Sequence, residues 1–86
     1  MTGVMGGVSC DSCGRPMVGP KDHGGGRDDN PYCRHCTDRG GALLPYEDVL
    51  RYLVEHEYVA RTGMARAQAE AAARSALSRM PAWRGR

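Results

Sequence analysis

The four cysteines of this 86-residue chain stand in two close pairs, and no other feature of the sequence constrains the fold as strongly. The segment CDSCG holds Cys10 and Cys13, and the segment CRHC holds Cys33 and Cys36. Two intervening residues let both sulfurs of a pair point at one metal ion. Nineteen residues separate Cys13 from Cys33, which is enough chain to return the second pair to the first. The spacing therefore predicts four thiolates around one structural Zn²⁺.

The size of the chain also favours a metal. A single small domain buries little apolar surface, and this one has no Phe and one Trp. Such a fold needs an added cross-link, either disulfides or a metal. The first residues, MTGVMGGVS, lack the pattern of an export signal, and no run of about 18 apolar residues could span a membrane. We therefore expect a cytoplasmic protein whose cysteines bind metal.

A four-thiolate site is closed, because all four coordination positions belong to the protein. No position remains for water or substrate, and no Ser/His/Asp or Cys/His catalytic set can be assembled without using the cysteines. The sequence thus predicts a protein that is not an enzyme. Three other uses of the thiols stay open: an iron site for electron transfer, a redox dithiol, and two structural disulfides.

The three histidines are weaker ligand candidates than the cysteines. His23 lies in the Gly-rich segment between the pairs, where a spare histidine is expected to be exposed to solvent. His35 lies inside the second pair, and its ring is expected to point away from the metal. His56 is expected on the surface of a helix.

The region 9–40, which holds both cysteine pairs, is dominated by turn residues. Gly, Pro and Asp fill the segment between the pairs, with brief strand contacts predicted at Met17-Val18 and Pro31-Tyr32. The glycines at 24–26 predict a flexible loop tip. Residues 1–8 carry three glycines and no pattern, which predicts a flexible lead-in.

Two helices are predicted in the region 41–86. Pro45 suits a helix start, so the first helix is expected over about 45–60. The second is expected over about 65–79, before Pro81. Its apolar stripe is made mostly of alanine: Ala65, Ala69, Ala72, Ala73, Ala76, Leu77 and Met80. Small side chains allow close approach, so the two helices are expected to pack as a hairpin with a basic C-terminal tail.

These motifs, taken together, resemble a family of small bacterial and archaeal zinc-ribbon proteins. The resemblance covers residues 9–84. The matching stretches are Cys10-Asp11-Ser12-Cys13-Gly14, Pro16-Met17, Tyr32-Cys33-Arg34-His35-Cys36, Gly40, Glu47-Asp48 and Met80-Pro81-Ala82-Trp83-Arg84. The chain departs from the family pattern at Gly41-Ala42-Leu43 and at the start of its last helix. The resemblance implies zinc binding and a fold, and leaves the partner open.

The expected fold is therefore a small metal-bound α+β protein. An N-terminal zinc ribbon of two cysteine knuckles and a short β-hairpin precedes a C-terminal α-helical hairpin. Trp83 is expected to fold back over the seam between these two parts, with an exposed partner contact as the alternative.

Three functions are compatible with this sequence. The first is a zinc-stabilised interaction module, an adaptor or regulator with an unidentified protein partner. The second is nucleic-acid binding, since residues 57–86 carry six Arg against two Glu, a net charge of +4, with Trp83 to stack on a base. The third is a thiol-based redox or zinc sensor. The oligomeric state stays open.

Overall fold

The computed structural model describes residues 8–85. Strand β1 (Val8–Ser9) pairs with strand β2 (Pro16–Met17) in an antiparallel hairpin, with Val8 opposite Met17. The first cysteine pair lies in the connection between the strands. Gly14 follows it with φ +84°, a conformation that disfavours any side chain. The predicted lead-in falls on residues outside the described part of the chain, except for Val8, which belongs to β1.

The second half of the ribbon is held by single bridges and by one buried glycine. His23 pairs with Cys33 in an isolated antiparallel bridge, one residue beyond the strand contact predicted at Pro31-Tyr32. Gly24 is buried, and a Cβ atom there would collide with the side chains of Thr37 and Asn30. The glycine run therefore begins with a packed position, which the prediction of a loop tip did not include.

The first helix spans residues 46–62 in three parts. It begins as α1 (Tyr46–Tyr52), continues as a π-helical segment (Leu53–Val59), and closes as α2 (Ala60–Thr62). Gly63, with φ +74°, ends it. The predicted range of 45–60 is confirmed within two residues. The π segment was not predicted, because the spacing of its apolar residues is also that of an ordinary α-helix.

The second helix, α3 (Arg66–Leu77), packs against the first and confirms the predicted hairpin. Ala69, Ala73 and Leu77 of the predicted stripe are fully buried against Val49, Leu50, Leu53 and Val54 of the first helix, within one core cluster. The small alanine side chains allow the two helix backbones to approach closely. No helix within residues 8–85 is long and apolar enough to cross a membrane.

The chain after α3 returns to the first cysteine pair. Ala82 N donates a hydrogen bond to Asp11 O at 3.1 Å, and the Trp83 ring packs edge-on against Tyr46 with ring centroids 5.3 Å apart. Trp83 is buried, so the prediction that it covers the seam between ribbon and hairpin is confirmed. The cysteines, the two helices and Trp83 share a single core.

The close approach of the helices at Ala73 can be tested by enlarging this side chain. The variant Ala73→Leu should lower the free energy of unfolding of the zinc-loaded chain by about 1–3 kcal/mol, because the site has no room for three more carbons. Urea unfolding followed by far-UV circular dichroism measures this. Ala71 lies exposed on the same helix, so Ala71→Leu should change the free energy by less than about 0.5 kcal/mol. Equal effects of the two substitutions would contradict the packing described here.

Candidate metal centre

The structure brings the four cysteine sulfurs of Cys10, Cys13, Cys33 and Cys36 together, all within 4.8 Å of one another. The Sγ atoms of Cys13 and Cys33 are 3.8 Å apart. A tetrahedral site with Zn–S bonds of about 2.3 Å requires sulfur–sulfur distances of about 3.8 Å. The donor type, the number of donors and their spacing therefore fit a four-coordinate zinc ion.

Backbone amides of both cysteine knuckles converge on one of these sulfurs. Cys10 Sγ accepts hydrogen bonds from the backbone N of Ser12 at 3.3 Å, of Cys13 at 3.4 Å and of Cys33 at 3.1 Å. These N–H dipoles stabilise negative charge on a buried sulfur, which otherwise would be costly. The ribbon backbone is thus folded to hold a thiolate at Cys10.

Hydrogen bonds among the four thiols shift the pKa of each of them. Hydrogen bonding by Cys13, and to a lesser extent by Cys33 and Cys36, lowers the pKa of the Cys10 thiol. The same bond with Cys10 raises the pKa of the Cys13 thiol. The pKa of Cys33 falls to about 7: its bond with Cys10 raises it, but bonds from Cys13 and Cys36 outweigh that. Hydrogen bonding with Cys10, and to a lesser extent with Cys13 and Cys33, raises the pKa of the Cys36 thiol. A bound metal would displace the protons that the thiols hold, because the thiolate is the ligand.

The histidines stay outside this cluster. The half-buried ring of His35 stacks on Tyr52, with ring centroids 4.9 Å apart. It does not join the sulfur cluster, in agreement with the predicted orientation away from the metal. His56 is exposed, as predicted, and also stacks on Tyr52, with ring centroids 4.6 Å apart. The expectation for His23 was wrong: it is buried, and its Nδ1 donates to the backbone oxygen of Asn30 at 2.7 Å. Its bridge to Cys33 and this hydrogen bond draw the ring inside the loop, where it supports the second knuckle.

Ser12 is a residue of the site that sequence reasoning missed. It is fully buried, and its Oγ accepts a hydrogen bond from Trp83 Nε1 at 2.9 Å. Hydrogen bonding with Cys10 does most to raise the pKa of the Cys36 thiol, and the Ser12 hydroxyl acts in the opposite direction. Ser12 therefore connects the indole to a candidate ligand, since its backbone N also donates to Cys10 Sγ at 3.3 Å. The sequence signal was a serine directly before a cysteine in the first knuckle.

Burial of the cluster is uneven. Cys10, Cys33 and Cys36 are buried, whereas Cys13 is half-buried at the surface. When bound, zinc would cross-link the two knuckles and stabilise the folded chain, since the free energy of metal binding in such peptides becomes folding free energy. All four positions around the ion would be filled by sulfur, so the arrangement suits a structural ion.

A comparison with protein-family models finds a match over residues 9–84, to the family described as "Putative zinc ribbon domain". The match covers both cysteine pairs, the two helices and Trp83. Comparisons with curated proteins and with solved structures found no match.

Zinc binding should depend on pH, because the ion competes with protons for the same sulfurs. Zinc affinity should increase from about pH 6 to about pH 8, with up to about a tenfold change per pH unit for each proton displaced. Competition with a chromophoric chelator, corrected for the chelator's own titration, measures this. An affinity that does not change with pH would contradict thiol coordination.

The contact between Trp83 and Ser12 should stabilise the chain measurably. Trp83→Phe and Ser12→Ala should each lower the free energy of unfolding of the zinc-loaded chain by about 1–3 kcal/mol, because each removes one partner of a buried hydrogen bond. The double variant should cost less than the sum, with a coupling energy of about 1 kcal/mol. Far-UV circular dichroism gives a signal that does not need the indole.

An exposed serine serves as the control for this cycle. Ser9→Ala should change the free energy by less than about 0.5 kcal/mol, since Ser9 is exposed in β1. Strict additivity of the Trp83 and Ser12 substitutions would show that the hydrogen bond carries no coupling.

Proposed function

We propose, from the premise that this chain belongs to the zinc ribbon family, that it is a non-enzymatic interaction module built around one structural zinc ion. The observation that carries this proposal is the cluster of four sulfurs within 4.8 Å, which leaves no coordination position for a substrate. The module would act as an adaptor or regulator by presenting a surface to a protein partner. We place this action in the cytoplasm, where a reducing environment keeps the thiols available for zinc.

Nucleic-acid binding, the first alternative, gains little support from the placement of its candidate residues. Trp83 is buried, so its ring is not available to stack on a base. Three of the C-terminal arginines are paired with glutamates, and their charge is locally compensated: Arg61 with Glu57, Arg66 with Glu55 and Arg74 with Glu70. A mobility-shift assay at low salt decides whether any binding remains.

The sensor alternative is favoured by one observation. Cys13 is the least buried cysteine, and its sulfur lies 3.8 Å from that of Cys33. Peroxide could take two electrons from these thiolates, forming a disulfide and releasing the metal. Unchanged zinc content after mild peroxide treatment would remove this alternative.

The proposed structural role predicts one zinc per chain and loss of structure when zinc is removed. Native mass spectrometry of protein purified without added metal should show a single zinc ion. Chelation should abolish most of the helical circular dichroism signal, because the ribbon part of the core is held chiefly by the metal. Iron, or no metal, in the native mass spectrum would contradict the assignment.

Two variants test which side chains hold the ion. Cys33→Ser should reduce zinc content to near zero. His35→Phe should keep one zinc ion per chain, because the ring at this position stacks on Tyr52 and does not join the sulfur cluster. Loss of zinc from His35→Phe would show that histidine takes part in coordination.

A further inference from the structure

A groove of about 540 Å³ runs beside the metal centre, between the ribbon and the helices. We propose that this groove binds a peptide segment of a partner protein that carries an apolar side chain next to a carboxylate. The inference rests on the proposed function as an interaction module and names the surface that the module would present. The volume lies within the range of binding clefts in proteins.

The apolar part of the groove comes from three separate elements. Pro16 of β2 and Val18, just after β2, line the groove on the ribbon side. Leu53 and Tyr58 of the π segment and Ala76 of α3 line it on the helix side. Val18 is 85% exposed, the most exposed of the large apolar side chains within residues 8–85. An exposed apolar side chain beside a cleft with a polar rim is typical of an interaction site.

Two arginines at the edge of the groove supply the polar part. Arg15 Nη2 and Arg61 Nη1 each donate to one oxygen of the Glu57 carboxylate, both at 2.9 Å. A guanidinium carries five N–H donors, so each arginine has donors beyond the one used on Glu57. These three charges sum to +1 along the groove, which favours an anionic group with one carboxylate.

The charge of the groove also argues against other occupants. A nucleic acid would bring several phosphates toward a surface with a net charge of +1, and the Glu57 carboxylate that lines the groove would repel them. A free anion would leave the apolar walls uncovered. A peptide meets both requirements, because neighbouring residues can place an apolar side chain and a carboxylate a few ångströms apart.

The first helix departs from regular α-helical geometry in the stretch that lines the groove. Leu53, Glu57 and Tyr58 lie in the π segment, and Tyr52 and Arg61 flank it. π-helical segments are rare and occur frequently at functional sites. A sequence without Pro or Gly between positions 46 and 62 gives no local reason for this departure, so we attribute it to the surface that it shapes.

The groove also depends on the metal centre. Cys13 and Gly14 line it together with Arg15, so the wall that carries the first arginine continues directly from the first knuckle. Zinc would fix this wall relative to the first helix. Peptide binding should therefore be lost when the chain is stripped of zinc.

The test uses a phage-displayed library of random short peptides, selected on the full zinc-loaded chain. Enriched sequences should share Asp or Glu next to an apolar residue. A synthetic peptide of the leading sequence should lose about tenfold or more in affinity when its carboxylate is replaced by the amide. Isothermal titration calorimetry measures this affinity.

Two groove variants and two matched controls locate the binding. Val18→Asp and Arg61→Glu should each weaken the peptide by about tenfold or more. Val8 is exposed on the paired strand, and Arg66 pairs with Glu55 as Arg61 pairs with Glu57, but neither lines the groove. Val8→Asp and Arg66→Glu should therefore leave the affinity unchanged.

The outcomes separate this inference from the proposed function. Each variant is assayed with its zinc content measured by native mass spectrometry, so a chain without zinc counts against the structural role. A zinc-loaded chain that enriches no acidic-apolar peptide, or binds it equally in both groove variants, overturns the groove as the binding site. Self-association of the chain that Val18→Asp abolishes would assign the groove to a second copy and overturn the peptide proposal.

Discussion

Four sulfurs within 4.8 Å of one another join two knuckles that are separated by a segment of turns and single bridges. Within residues 8–44, Met17 is the only buried apolar side chain other than the cysteines. Burial of one such side chain contributes roughly 2 kcal/mol, far below the conformational entropy of ordering this segment. A metal bound to the four sulfurs would therefore add stabilisation that the ribbon's own apolar residues do not supply. The strand pair flanks the first knuckle, and one wall of the groove continues from it.

The ribbon and the helices share one core. The indole of Trp83 and the backbone of Ala82 reach the first knuckle, and the cysteines share a core cluster with the apolar residues of both helices. Each part thereby covers a surface of the other that would be costly to expose. The small side chains of the alanine stripe let α3 approach the first helix closely enough to bury that helix's apolar face. A chain of this size buries too little apolar surface to form two separate cores.

Sequence periodicity and cysteine spacing were enough to predict the two helices, their hairpin and the grouping of four cysteines, because each follows from a local repeat. The burial of His23 could not be read from its polar neighbours, since a bridge to Cys33 determines it. Ser12 was missed because its partner, Trp83, is distant in sequence. The π segment has the same apolar spacing as an α-helix. The groove residues come from the first knuckle, from β2 and from both helices, and only the packing of these parts brings them together.

The hydrogen bond between Trp83 and Ser12 joins residues 71 positions apart, and this separation implies an order of events in time. During synthesis the two knuckles are complete long before the indole is made, so zinc can be captured while Ser12 is still open to water. The helices would then form from local contacts, and closure of the long loop onto the first knuckle would come last. Newly made chains would pass through a stage in which metal is bound but its cover is absent, and at that stage exchange of the ion would be fastest.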